Sequence, residues 1–395
     1  MQRTLRTDVY DVVIIGGGVM GASLSYWLCQ LDSTIRVAVV ERDPTFAQAS
    51  SALSAASLRQ QYTTAVNIEI SQQSLALLRR ASEWLSVGDD CPDLNWVEGG
   101  YLTLGSAPMA AGLQAAHRVQ WAHGADVALL APAALADRFP WLNVADLAVG
   151  SFGVTGEGWF DGYRLLTSLH AKARSLGAEF IRGTAVDFER SGAQLSAVNL
   201  QDGRRLASRI VVNAAGPWAR HVAALAHVSV PVSARRRTVF VLSCPTPLVG
   251  FPLLIDTSGF WIRPEGSFYI GGIVPRDDAE DLPLEPDTAP FESEFWPALA
   301  HRVPAFEALR VERAWAGYYE MNTFDHNGIV GPHPEIDNFY LMNGFSGHGM
   351  QQAPAVGRAL AERLLTGEYR SLDLTPLSFD RIVAGRPLRE DAVIG

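Results

Sequence analysis

Lysine is almost missing from this chain: of 32 basic residues only Lys172 is one, and the rest are arginines. Chemistry that needs a lysine base, a Schiff base or a P-loop lysine therefore has a single candidate. Cysteine is scarce as well. Cys29, Cys91 and Cys244 lie far apart with no CxxC pair, which argues against a disulfide framework and a thiolate zinc site. A reducing, cytoplasmic compartment is the expectation. Positive charge is in deficit, with 32 basic against 42 acidic residues and a net charge of −10. The one dense basic run, Arg235-Arg236-Arg237, is short, so nucleic acid is not an expected partner. No run of about 18 uninterrupted apolar residues occurs, and no transmembrane segment is expected. The pairs His117/His123 and His221/His227 are spaced off one helix face, and no metal site is expected.

What the chain does have is apolar material. Hydrophobic residues make up 48% of 395 and charged ones 19%, enough for one large domain or two ordinary ones with a sizeable core. Arg3 and Arg6 precede an apolar stretch, but Asp8 and Asp11 interrupt it, so it reads as a first strand and not as a signal peptide.

Val12-Val13-Ile14-Ile15 is a continuous β-branched run, the pattern of a strand buried on both faces. Gly16-Gly17-Gly18-Val19-Met20-Gly21 follows and matches GxGxxG. Leu24, Trp27, Leu28 and Leu31 then recur at helical spacing. A second buried strand runs from Ile35 to Val40 and ends in Glu41, 20 residues after Gly21. Strand, glycine turn, helix, strand and acid form a dinucleotide fingerprint. Gly16 permits the tight turn, Gly18 lets backbone approach a pyrophosphate, and Gly21 lets helix and strand pack closely. The helix N-terminus, with Val19 and Met20, faces the phosphates. Glu41 accepts from ribose hydroxyls, which argues against a 2′-phosphate and hence against NADP.

Further along, residues near 64–85 carry a helical stripe, and Trp96 to Leu104 looks strand-like. Alanine-rich 107–123 and 131–138 read as helices. A second α/β unit starts near Asp161, with Gly177 closing its helix and a strand at Phe180-Ile181. Ile210-Val211-Val212 is another buried strand. Short strands at 237–243, 260–263 and 267–273 suggest an antiparallel sheet, and Pro-rich 283–304 reads as irregular or part helical. Phe339-Tyr340-Leu341-Met342 leads through a glycine-rich loop into a helix that ends at Gly367, with Pro354 near its first turn. The expected fold class is α/β with an α+β second domain: a Rossmann-like nucleotide domain (1–88, 150–225 and 320–395) and an inserted antiparallel-sheet substrate domain (89–149 and 226–319).

Three separated segments, DVVIIGGGVMGAS (11–23), VVNAAGPWA (211–219) and NGFSGHGMQQAPAVGRALAE (343–362), together resemble the D-amino-acid-oxidase-like FAD oxidoreductases. Sarcosine oxidase, dimethylglycine dehydrogenase and glycine oxidase are members. GFSGHGMQQAP and LRQQY (58–62) are most like the branch of FAD-dependent oxidoreductase domain-containing proteins. The resemblance implies FAD as cofactor, held by Gly16, Gly18, Val19, Met20, Gly21, Glu41 and Arg42 at the first turn. Ser50 and Ser51, Ala185 and Val186, and Ala215, Gly216 and Trp218 follow. The last motif adds Gly344, Ser346, Gly347, His348, Gly349 and Met350, where a helix N-terminus would stabilise charge on a reduced flavin.

The implied reaction is oxidation of a C–N bond in a secondary amine or amino acid (sarcosine, proline or opine-like). Hydride goes to flavin N5, and the imine is then hydrolysed. Arg59, by its place in LRQQY, is the candidate carboxylate clamp. Tyr62, Tyr269, Tyr319 and His348 are pocket candidates. Monomeric sarcosine oxidases attach FAD through a cysteine in the segment matching Trp315 to Tyr319; here the matching residue is Gly317. Dimethylglycine dehydrogenases use a histidine in the segment matching 52–58, where none stands, so non-covalent FAD is expected. The oxidases' oxygen-activating lysine has no counterpart in Phe268-Tyr269-Ile270-Gly271, which implies slow reaction with oxygen and transfer to an external carrier.

An alternative is a flavin-bearing subunit or assembly factor acting through a partner protein. An NAD-dependent dehydrogenase would leave the last motif unexplained. A hydrolase reading of Gly344-Phe345-Ser346-Gly347-His348 fails because the fifth residue is not glycine and no triad order supports it.

Overall fold

The computed structural model describes residues 9–276 and 278–390; Arg3, Arg6 and Asp8 lie outside the described residues. The first apolar run forms the strand Val9–Ile15, which pairs in parallel with Val37–Glu41 on one side and Arg205–Asn213 on the other. Registers such as Val12↔Val37 and Val12↔Ile210 place β-branched side chains over one another. Val12, Ile14, Val37 and Val39 point into one apolar cluster, while Val13, Ile15, Ala38 and Val40 point into a second on the opposite face. That two-sided burial explains why the strand shows no polar alternation.

The sheet has eight strands. Along its main path the order is Ile329–His333, Ile336–Asn343, Arg205–Asn213, Val9–Ile15, Val37–Glu41 and Glu179–Arg182, with the hairpin Ala185–Ser191 and Gln194–Leu200 branching off. One face is covered by three helices, α1 (Val19–Leu31), α3 (Gly162–Ser175) and α4 (Gly349–Thr366); α2 (Ala65–Leu78) packs on α4 from outside. Asp161 caps α3 by accepting from the Arg164 N–H at 2.8 Å, and Gly177, at φ +107°, turns the chain just past its end. Gly367 closes α4 at φ +83°. Pro354 is not in the first turn of α4, because the helix already starts at Gly349. Two carbonyls there also accept from α1: Ala353 O from Ser23 Oγ at 2.7 Å and Pro354 O from Trp27 Nε1 at 3.0 Å.

The second sheet also has eight strands, in the order Arg310–Asn322, Val232–Ser243, Phe268–Ile273, Phe260–Glu265, Leu253–Ile255, Tyr101–Gly105, Val149–Gly153 and Val127–Leu130. All its pairs are antiparallel except Leu253–Ile255 with Tyr101–Gly105. Alternation along Val232–Ser243 sends Phe240 and Leu242 into a core with Phe291, Phe295 and Phe306, and Val239 and Val241 to the other face. Trp96 to Gly100 is not strand; the strand begins at Tyr101, held to its neighbours from there. Within 283–304 the order is a short π turn, Phe291–Phe295, and a helix, Trp296–Arg302. The face carrying Val239, Leu253, Ile255 and Trp261 looks across a groove toward the first sheet's helix ends.

Candidate active site

A single cavity of about 730 Å³ runs from the end of the strand Val37–Glu41 to the inner face of the second sheet, a size that ligand sites commonly have. One end is built by the first glycine turn. Gly16 takes φ +104°, and a Cβ there would stand 2.3 Å from Ala214 O, so only glycine fits. Glu41 holds this turn directly: Oε2 accepts from Gly17 N–H and Oε1 from Asp43 N–H, both at 2.8 Å. Ser51 Oγ accepts from Val19 N–H at 2.9 Å, which caps the first turn of α1, and Ser50 Oγ donates to Tyr318 O at 2.6 Å. The Arg42 guanidinium lies 3.8 Å over the Trp218 ring and lines the wall with it.

The far end is built by the last glycine loop. Gly344, Ser346 and Gly347 all take positive φ (+75°, +50° and +93°). For Ser346 this conformation costs about 1 kcal/mol or more and must be held from outside. Its hydroxyl accepts from Asn322 N–H at 2.9 Å and donates to Gly344 O at 3.2 Å, and its own N–H donates to Glu320 O at 3.1 Å. With that hydroxyl engaged on backbone and no base beside it, the serine has no arrangement of a hydrolase nucleophile. A Cβ on Gly347 would meet the Tyr319 ring at 2.4 Å, so ring and loop backbone are in close contact.

Between these ends Arg59 is 8% exposed, and it lines the cavity. Its Nη2 donates to His348 Nε2 at 2.9 Å, its backbone N–H donates to Gln351 Oε1 at 2.8 Å, and its guanidinium lies 5.0 Å over Tyr62. Its Nε is buried without a hydrogen-bond partner; among the described residues no acidic side chain stands at ion-pair distance from it, and Glu390 and Glu157 act on its charge only from further off. Burial, and then the Arg59 charge, hold His348 well below its ordinary value, so it is neutral and can accept. Burial pushes the Tyr101 hydroxyl up to about 12. The wall opposite is apolar: Val239, Leu253, Ile255 and Trp261.

Most residues singled out in the sequence meet in this cavity. Gly16, Gly18, Val19, Met20, Glu41, Arg42, Ser50, Ser51, Ala185, Ala215, Gly216 and Trp218 line it, as do Arg59, Tyr319, Ser346, Gly347, His348, Gly349 and Met350. Gly21 lies behind it, where a Cβ would come within 2.0 Å of Gly16 O, a packing role. Gly344 also lies behind, bonded to Glu320. Tyr62 is fully buried beneath Arg59 and accepts from Gln351 Nε2 at 2.5 Å.

Tyr62 is therefore not a wall residue, and two further expectations are corrected. Tyr269 does not line the cavity, because its side of the strand faces the second core, where its ring sits 5.4 Å from Phe251 and 5.1 Å from Phe306. Val186 is 42% exposed and points outward, the alternate face of a strand whose preceding residue, Ala185, lines the wall with Thr184. Tyr101, Arg237, Trp261, Glu320 and Gln351 line the cavity without having been named as site residues. Arg237 had figured only in the short basic run and Gln351 only inside a quoted motif. Lys172 lies elsewhere, its Nζ donating to Ser86 O at 3.0 Å. Among the described residues no cluster of His, Cys, Asp and Glu could hold a metal ion, and no helix is long and apolar enough to cross a membrane.

The comparisons with known proteins agree with this geometry. A family model described as "FAD dependent oxidoreductase" matches residues 11–363. The chain is 42% identical to "FAD-dependent oxidoreductase domain-containing protein 1" of Bos taurus over 97% of its own length and 87% of the relative's. It is 26% identical to the glycine oxidase of Geobacillus kaustophilus, covering 95% of this chain and 98% of that one. Among solved structures, L-proline dehydrogenase from P. horikoshii superposes with a TM-score of 0.86 at 24% identity, covering 96% of this chain and all of the other.

Proposed function

The chain belongs to the FAD-dependent oxidoreductase family, and from that premise we propose that it oxidises the C–N bond of a secondary amine or amino acid whose carboxylate is held by Arg59. The observation that carries this is the buried Arg59 guanidinium, which forms no ion pair among the described residues, on the wall of a cavity that also reaches the first glycine turn. A buried cation with no carboxylate at ion-pair distance is costly, and an incoming carboxylate on the cavity side of the guanidinium would supply that charge.

FAD fits the residues present. The Gly16 and Gly18 turn and the first turn of α1 would take the pyrophosphate, with Glu41 and Arg42 on the adenosine side. The Ser346 to Met350 backbone at the start of α4, with Gly317 and Tyr319, would take the ring end. Bound FAD supplies a hydride acceptor. The chain does the rest. His348 fixes one guanidinium nitrogen of Arg59, and Gln351 fixes the Arg59 backbone. Tyr101, Leu253, Ile255 and Trp261 offer an apolar wall that excludes water from the reacting carbon. We assign the nucleotide unit to 1–88, 150–225 and 320–395 and the substrate unit to 89–149 and 226–319. Three free thiols support a reducing, cytoplasmic setting.

Anaerobic mixing of the FAD-loaded protein with N-methyl, cyclic and N-carboxyalkyl amino acids tests this reading. At least one compound is expected to bleach the flavin band. Arg59→Ala should raise that compound's KM by roughly 10²-fold, the loss of a charge-assisted pair worth about 3 kcal/mol. Bleaching by dithionite but by no amine in the panel would overturn it. Since Lys172 is remote, the reduced protein should pass electrons to a dye faster than it forms peroxide.

A further inference from the structure

Glu320 lies near the end of the strand Arg310–Asn322, is 8% exposed, and lines the cavity between its two glycine turns. A Cβ on Gly349 would stand 3.3 Å from its Oε1, and one on Gly216 3.7 Å from its Oε2. Its Oε2 accepts from Gly344 N–H at 3.2 Å, and the Phe345 N–H bonds the same carboxyl. Among the described residues no cation pairs with it. The turn at 215–218 presents no ionisable side chain, and the last loop presents only His348, which is neutral. On the neighbouring strand its register partner is Ala234, and the adjacent Arg235 is engaged by Glu280. Burial pushes the carboxyl up to about 7, only partly countered by the two backbone amides.

We propose that Glu320 is the proton partner of flavin reduction: its carboxylate takes up one proton when FAD bound in this cavity receives two electrons. The inference rests on FAD occupying the cavity, as in the preceding section, but not on which amine is oxidised. The electrostatics are local. α4 starts at this spot, and a helix N-terminus offers only about half an elementary charge to the negative groups beside its first turn. A reduced ring carrying negative charge and an ionised Glu320 would place two on the same few amides in a water-poor cavity. The balance is two electrons and one proton to the flavin from the reductant, which is oxidised. One further proton comes from water and forms the O–H bond on Glu320.

The midpoint potential of the FAD-loaded protein, measured against pH with chemical reductant and redox dyes, reads this directly. Above neutral pH, where the carboxylate is ionised in the oxidised protein, the wild type should take up two protons per two electrons. Glu320→Gln should take up one across the same range, halving the slope, and Glu320→Asp should restore two. Parallel slopes for wild type and Glu320→Gln overturn the proposal. If Glu320→Gln does not retain flavin, the reduced-minus-oxidised infrared spectrum of the wild type decides. A protonated-carboxyl band that shifts in D2O on reduction is expected, and its absence overturns the proposal. A preparation that binds no flavin at all would instead refute the occupancy on which both readings stand.

Discussion

Glu157 shows how a residue outside the cavity can set what happens within it. It is 1% exposed, and its Oε1 accepts from the N–H groups of Gln60 at 2.6 Å and Gln61 at 3.1 Å, while Oε2 accepts from Gln61 Nε2 at 2.8 Å. These bonds pin the backbone just after Arg59, so that its side chain turns toward the cavity. Burial pushes the carboxyl up to about 7. A carboxyl raised in the folded state contributes stability that is fully present below its ordinary value of 4.5 and is lost as pH rises through 7, on the order of 3 kcal/mol. Unfolding by denaturant at pH 5 and pH 8 should therefore show a larger loss in the wild type than in Glu157→Gln. Equal losses would show that the carboxyl is ionised throughout. His170, lowered to about 4 by burial, acts with the opposite sign and cancels between the two proteins. Arg59 was legible because LRQQY belongs to a recognisable pattern. Glu157 and Glu320 were not: each stands among ordinary neighbours, and only long-range packing removes them from water.

Helices are where the sequence spoke most clearly. Apolar spacing and terminal glycines marked α1, α3 and α4 within a few residues of their observed bounds. The strand Arg310–Asn322 gave no such signal, because its first four residues are exposed, its middle is mostly half-buried on both faces and its last three residues are all buried, leaving no alternation. The hairpin Ala185–Ser191 and Gln194–Leu200 mixes apolar and polar residues without a long apolar run and is equally silent. The contact between α1 and α4 decides whether both glycine turns share one cavity, and Gly357 is its closest point. A Cβ there would stand 2.3 Å from Ser23 Oγ and 3.0 Å from Ser23 backbone carbon. Backbone cannot give way cheaply, so Gly357→Val should destabilise by about 2–3 kcal/mol. It should also weaken flavin retention, since both helices begin at the cavity wall. A variant with unchanged unfolding midpoint and flavin content would show that the two helices slide apart at little cost.

At the scale of the whole molecule, the meeting of Gly16 with Gly347 inside one cavity was legible only through motif resemblance, because no local pattern encodes which distant strands pair. The parallel contact of Leu253–Ile255 with Tyr101–Gly105 belongs to the same class: two short apolar runs joined across nearly 150 residues. The completed cavity bears on how the cofactor is kept. Covalent attachment needs a nucleophilic side chain at the ring, and none of Cys29, Cys91 and Cys244 lines the wall. Gly317, which the resemblance matches to the cysteine of monomeric sarcosine oxidases, offers no nucleophile, and its Cβ site lies 3.3 Å from Leu53 Cβ. Of the two histidines on the wall, His221 sits on the turn side near Trp218, and His348 has its Nε2 committed to Arg59. Retention is therefore a sum of backbone contacts and helix-end electrostatics that exist only while both sheets are in place. Acid or heat precipitation should release all of the flavin into the supernatant, and colour or fluorescence travelling with the denatured chain on a gel would contradict this.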